Sequence, residues 1–392
     1  MKRQFIILML FYLAFHFFIP FIFFEIDGFV NLYSDVQGYE GMIINIVAIL
    51  GTITILHYLP DSNHIVEPRF NNSISFFYFA VFIAIFKFIS GGGFEGSLKG
   101  TTHGTLISFI SLFFNVNSAF FFAICLQKNL KNVFVILAIY VILMTALGSR
   151  SAIIGILLIA LMLPLFKNND LVKRKLRILI ILLSIISPLL FLLGTSVRGG
   201  LDRNLLGKII IGRISFIESS MIPLAGRQNN TMDELTFDKK YSTLNQFKQV
   251  INAISPIDPF LPDISPNQYF RQIFLGASES KVQNSYMSMN MTLPVYFVMK
   301  SNIFIGICLT IIFLSLLYLI WIRFSSNIYI FIAIVRSLYD ILYYFDWVMI
   351  VQVIFSTTLT LITLKYYDVV INSIKYTTKK YFINPIIEKQ SQ

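Results

Sequence analysis

Apolar runs of roughly 18 residues or more recur along this chain, each long enough to cross about 30 Å of hydrocarbon as a helix. No other feature of the sequence narrows the fold as much. In lipid the backbone must satisfy its own hydrogen bonds, which leaves helices or a closed barrel. A barrel strand would place polar residues at every second position, and the segment 178–193 shows no such alternation. Charged residues make up only 13% of the 392 residues, against about 25% in soluble domains. The chain therefore reads as an all-α polytopic integral membrane protein.

About ten transmembrane helices are expected, over 5–24, 41–60, 74–90, 105–126, 133–147, 152–166, 178–194, 292–320, 327–342 and 344–364. One long polar stretch, 195–291, interrupts them. The chain thus divides into N-terminal helices (1–194), a large loop (195–291), C-terminal helices (292–364) and a basic tail (365–392). The first apolar run follows Met1-Lys2-Arg3 as in a signal peptide. It is too long, and no small-residue cleavage site follows, so a retained helix is expected.

Charge sets the expected direction. The net charge is +11, and most of the basic residues sit between spans, where they orient the protein rather than bind nucleic acid. Lys167, Lys173, Arg174, Lys175 and Arg177 crowd one connection against Asp170 alone. Lys128 and Lys131 occupy another, and Lys365, Lys375, Lys379 and Lys380 follow the last span. All three fall on one side if both termini are cytoplasmic. The connection 25–40 carries Glu25, Asp27, Asp35 and Glu40 without Lys or Arg, as suits a translocated loop. The long loop then lies outside.

That loop has helical spacing of its own. Leu206, Ile210, Ile214, Ile217 and Met221 fall on one face, predicting an amphipathic helix at the membrane surface. Leu244, Phe247, Val250 and Ile254 repeat the pattern before Pro256, Pro259, Pro262 and Pro266 break it. Long structured loops are usually functional.

Candidate site residues are chiefly arginines. Arg150, in Gly148-Ser149-Arg150-Ser151, separates two short apolar helices. It lines a cavity there or snorkels to the headgroups. The loop adds Arg198, Arg203, Arg213, Arg227 and Arg271. Guanidinium stays charged and binds phosphate bidentately, so several together suit a diphosphate. The loop also holds 10 Lys and Arg against 8 Asp and Glu, so many of these cations are solvated or paired. Arg198, beside Gly199 and Gly200, and Arg213, in the amphipathic segment, rank first. Glu218 is a general base for a sugar hydroxyl or a partner of Arg213. Asn267, Tyr269 and Arg271 offer amide, ring and cation to a sugar, or simply pack in the loop. Arg336 and Asp340 share one face of the ninth span, as a functional pair or a structural one.

Other signals are weak. Gly91-Gly-Gly93-Phe-Glu-Gly96 matches a dinucleotide-binding pattern but follows a membrane helix, not a strand. His16, His57, His64 and His103 are scattered, and the loop carboxylates are dispersed, so no metal-ligand set is visible. Cys125 and Cys308 fall inside spans as apolar fillers.

The helix number, the Gly148–Ser151 junction, the single large outer loop and Arg213-Ile-Ser-Phe-Ile-Glu218-Ser219 together resemble the Wzy-type oligosaccharide repeat-unit polymerases of surface polysaccharide synthesis. The resemblance spans most of the chain as architecture. It implies the fold of polytopic lipid-linked-sugar glycosyltransferases in a bacterial cytoplasmic membrane. The donor and acceptor would be undecaprenyl-pyrophosphate glycans, with membrane lipid around them. A chain-length regulator and a flippase of the same pathway would be partners, and no cofactor or nucleic acid would be involved. On this likeness the arginines that steady the departing pyrophosphate fall on Arg150, Arg198 and Arg213, then on Arg203, Arg227 and Arg271. The spaced Arg-x10-Gly signature of some members is missing at Arg198, Arg203 and Arg213. The related O-antigen ligases use a histidine in the large loop, and this loop has none. A lipid-linked oligosaccharide flippase, a ligase-like transferase and a non-catalytic envelope scaffold are the competing readings.

Overall fold

The computed structural model describes residues 2–22, 35–62, 72–90, 106–126, 129–146, 292–324 and 347–378, with isolated positions between 156 and 342. Among these the regular structure is entirely helical. Helix α1 (Lys2–Leu13) widens into a π-turn (Ala14–Phe18) and runs on to Ile22. There follow α2 (Asp35–Tyr58), α3 (Ser73–Ser90), α4 (Leu106–Phe113), α5 (Val116–Leu126), α6 (Leu130–Ala146), α7 (Leu293–Lys300), α8 (Ile303–Arg323) and α9 (Trp347–Thr378). Six described helical segments are long and apolar enough to cross a membrane: Lys2–Ile22, Tyr39–Tyr58, Ser73–Ser90, Phe109–Leu126, Ile303–Arg323 and Val353–Thr377. The chain is an α-helical membrane protein. The expected spans 152–166, 178–194 and 327–342 and the loop 195–291 lie outside the described residues, apart from single helical positions. Of these, Ile159, Leu179 and Leu338 are buried.

The closest helix contacts fall into two groups. One joins α1, α2, α7 and α8; the other joins α3, α4, α5, α6 and α9. Buried apolar side chains from both belong to one continuous core. In the first group Lys2 Nζ reaches the carbonyl of Leu59 at 2.6 Å, so α1 starts where α2 ends. Phe5 lies edge-on to Tyr318, with centroids 5.2 Å apart, and against Trp321 at 5.0 Å. Gly51 approaches Ile311, and the Tyr318 hydroxyl donates to the carbonyl of Pro60 at 2.9 Å. Helices α2 and α8 thus run parallel.

In the second group the start of α3 meets the end of α9. The Asn72 side-chain amide donates to Asp368 Oδ1 at 2.7 Å, and Lys375 Nζ donates to Asn72 Oδ1 at 2.8 Å. The backbone N–H of Asn72 also donates to Asp368 Oδ1 at 3.2 Å. The segment 59–72 is too short and too polar to form a further span, so the two groups share an end. Lys2 and Lys375 therefore stand at the same end of the bundle.

Three elements differ from the sequence reading. The expected single span 105–126 breaks at Phe114-Asn115 into α4 and α5. The expected span 292–320 is a tight helical hairpin: α7 turns at Ser301-Asn302 and lies against α8. A Cβ on Gly306 would stand 2.5 Å from the backbone N of Val298. Only glycine permits that approach. Asn302 caps α8 by accepting from the Ile305 N–H at 2.8 Å. Last, α9 continues to Thr378 instead of ending at 364. Its polar last turns are held by Asn72, a contact that periodicity along one helix does not reveal.

Candidate functional site

The residues singled out from sequence (Arg150, Arg198, Arg203, Arg213, Glu218, Arg227, Asn267, Tyr269, Arg271, Arg336 and Asp340) all lie outside the described residues. The scaffold leading to the first of them is described. Helix α6 ends at Ala146, four residues ahead of Arg150 in the chain. It forms an antiparallel hairpin with α5 through the short connection after Leu126. Tyr140 stacks flat on Phe120, centroids 3.7 Å apart and 2° between planes, and its hydroxyl donates to Asn117 Oδ1 at 2.9 Å.

The break between α4 and α5 supplies most of the polar groups beside that hairpin. Asn115 caps α5 by accepting the Ser118 N–H at 3.0 Å. Thr360 of α9 closes the gap in the ladder. Its Oγ1 accepts the Asn115 N–H at 3.2 Å and donates to the Leu112 carbonyl at 3.2 Å. One hydroxyl thus satisfies a donor and an acceptor that the break releases, as a helix interrupted in lipid requires. Ser118 Oγ and Thr357 Oγ1 share a further hydrogen bond at 3.2 Å. Ser118, Thr357 and Thr360 are all buried. These neutral hydroxyls and amides fix helices in place; they offer no nucleophile or proton carrier tuned for chemistry.

A cation stands at the end of the bundle where α6 finishes. Lys87, in the last turn of α3, is half-buried, and its Nζ donates to Ser111 Oγ of α4 at 3.2 Å. Ser111 precedes the α4–α5 break and Ala146 ends α6, both on the side of the Asn117–Tyr140 contact away from the α5–α6 connection. Lys87 and the last turn of α6 therefore share one end of the bundle. The sequence reading passed over Lys87. Its signal was a lone cation within the apolar run 74–90, which also describes an ordinary snorkelling lysine.

The opposite end uses charge for fastening. Lys2 Nζ binds the carbonyls of His57 at 3.3 Å and Leu59 at 2.6 Å. Lys175 is buried and binds those of Ile124 at 2.9 Å and Cys125 at 3.4 Å. Both cations complement the negative end of a helix. The Lys2 N–H donates to Asp61 Oδ1 at 3.0 Å. Partial burial pushes the Asp61 carboxyl up, but that bond, the positive chain terminus and the Ser62 N–H together hold it below its ordinary value.

A smaller polar cluster joins α1 to α2. Tyr12 donates to Asn45 Oδ1 at 3.3 Å, and Asn45 donates to the Gly41 carbonyl at 2.8 Å. Buried His16 lies at the π-turn beside Tyr12, centroids 5.6 Å apart. Cys125 and Cys308 are free thiols within helices. Among the described residues no three His, Cys, Asp or Glu side chains gather as a metal site.

No family model, no curated protein and no solved structure matches the chain.

Proposed function

We propose that this protein polymerises lipid-linked oligosaccharide repeat units at the outer face of a bacterial cytoplasmic membrane. The observation that carries the reading is an arginine-bearing junction, Gly148–Ser151, together with a 195–291 loop rich in arginine, on a chain of membrane-crossing helices. Lys87 adds positive charge at the end of the bundle where α6 finishes, ahead of Arg150 in the chain.

The chemistry follows from the substrate class. An acceptor hydroxyl attacks the anomeric carbon of the donor glycan, forming a new glycosidic bond. The bond from that carbon to the pyrophosphate oxygen breaks, and its electron pair leaves with the lipid pyrophosphate. Glu218 takes the hydroxyl proton. Arg150, Arg198 and Arg213 stabilise the charge developing on the leaving oxygen, more strongly in a dehydrated site than in water. Arg203, Arg227, Asn267, Tyr269, Arg271, Arg336 and Asp340 hold donor and acceptor.

Glycan chain length is the test. Arg150→Ala or Arg213→Ala should abolish long chains while single repeat units still reach the surface, a loss of at least 10² in rate for a missing charge-stabilising donor. Normal chain lengths in both variants overturn the reading. Loss of single-unit display in a deletion strain points to a flippase instead. For topology, a tag at Asn229 should react with impermeant reagents in intact cells.

A further inference from the structure

We propose that Lys87 and Ser111 form a binding site for the phosphate of a membrane-embedded lipid, open to the bilayer between α3 and α4. The first observation is the two-faced character of α3. Phe82, Ile85, Phe86 and Ile89 are exposed on a helix apolar enough to span a membrane, so lipid surrounds them. Lys87 lies among them in sequence but turns inward and is half-buried.

The second observation is what it turns toward. A lysine that only snorkels extends its ammonium to the headgroups. Lys87 instead donates to Ser111 Oγ at 3.2 Å, across the α3–α4 contact. An ammonium has three donors, and among the described residues Ser111 is its one hydrogen-bond partner. No described carboxylate bonds to it. Asp61 is engaged with Lys2 and Asp368 with Asn72 at the opposite end of the bundle, and Glu40, near the start of α2, is engaged elsewhere. A partly desolvated cation without an anion is costly in the membrane. A lipid-borne phosphate supplies the missing charge, and its acyl or prenyl chain meets the exposed aromatic face of α3.

The third observation is position. The site stands toward the end of the bundle where α6 finishes, two residues before Gly148 in the chain. On the polymerase reading, the lipid phosphate is that of the polyprenyl carrier, arriving from the bilayer beside α3. The binding site itself needs no such assumption.

The experiment uses the full-length protein in nanodiscs of neutral lipid and measures binding of three probes: a polyprenyl phosphate, phosphatidylglycerol and inorganic phosphate. The polyprenyl phosphate should bind, and Lys87→Met should weaken it about tenfold or more, the size of one charge-assisted hydrogen bond. Lys131→Met, on an exposed residue, should leave it unchanged. Ser111→Asp gives Lys87 a carboxylate partner within the fold and should also displace the phosphate. Phosphatidylglycerol binding that is likewise lost in Lys87→Met supports a site for lipid phosphate in general. Unchanged affinity in Lys87→Met or in Ser111→Asp overturns the proposal. Inorganic phosphate binding as tightly as the lipids also overturns it, since the site would then draw its anion from water. None of these readouts requires polymer. Normal glycan chains in Arg150→Ala with intact lipid binding would therefore reject the polymerase reading alone.

Discussion

Helices α5 and α8 are both strongly apolar, yet they occupy opposite situations. In α5 every residue from Ser118 to Cys125 is buried, because α3, α6 and α9 pack around it. In α8 the buried residues are Gly306, Thr310, Leu314, Tyr318 and Trp321, a single row at intervals of three or four. Much of the remaining surface of α8 faces outward, with Phe304 76% exposed and Ile312 54% exposed. Hydropathy decides that both enter the membrane. Lipid tails are as apolar as leucine, so hydropathy does not decide which helix is central. That is set by small and polar residues, which let backbones approach and hydrogen-bond across helices. The α8 row of Gly306 and Thr310 follows this rule, as do Ser118, Thr357 and Thr360 around α5.

Substitutions can break this contrast. Phe120→Ala in α5 empties a buried ring site against Tyr140 and should destabilise by about 3–5 kcal/mol. Phe304→Ala on the lipid face of α8 should stay within about 0.5 kcal/mol. Melting temperatures in detergent compare the two, and equal losses would refute the central placement of α5. Next comes Gly306→Val, whose Cβ meets the Val298 backbone. It should cost about 1–3 kcal/mol, seen as lower melting and faster proteolysis near the α7–α8 turn. Gly51→Ala should cost less, because its Cβ meets the movable end of the Ile311 side chain.

Smaller effects sharpen the same contrast. Thr360→Val removes the hydroxyl that bridges the α4–α5 break and should cost about 1 kcal/mol, near the range of interhelical hydrogen bonds in membranes. An unchanged melting temperature would show that the break needs no outside partner. The smallest effect lies outside the membrane. The Asp61 carboxyl is held below its ordinary value of 3.8 in the folded protein. Its contribution is therefore present above that pH and lost as pH falls through the lower folded value. Asp61→Asn should flatten this acid limb slightly, and an unaltered pH profile would remove the Lys2–Asp61 contact from the account.

Much of the architecture was legible in the sequence. The described spans fall close to the expected ranges. The break in 105–126 has a trace in the sequence: Asn115, Asn117 and Ser118 interrupt an otherwise apolar run. Lys300, Ser301 and Asn302 marked the hairpin in the same way. Each trio was short enough to pass for polar residues tolerated within one span. The candidate arginines stand out by their chemistry, and the described structure reaches only the helix that leads to Arg150. Lys87 was invisible for a different reason. A lysine near a helix end looks the same from sequence whether it snorkels outward or turns in.

The sequence by itself determined that the chain crosses a membrane as helices, because uncharged runs of that length leave the backbone no other way to satisfy its hydrogen bonds in lipid. Tertiary structure alone decided which helix is enclosed, that α7 folds back along α8 at Gly306, and that Thr360 repairs the break at Asn115. Those outcomes depend on close approach and hydrogen bonds between segments far apart in the chain, which no local pattern of hydropathy encodes.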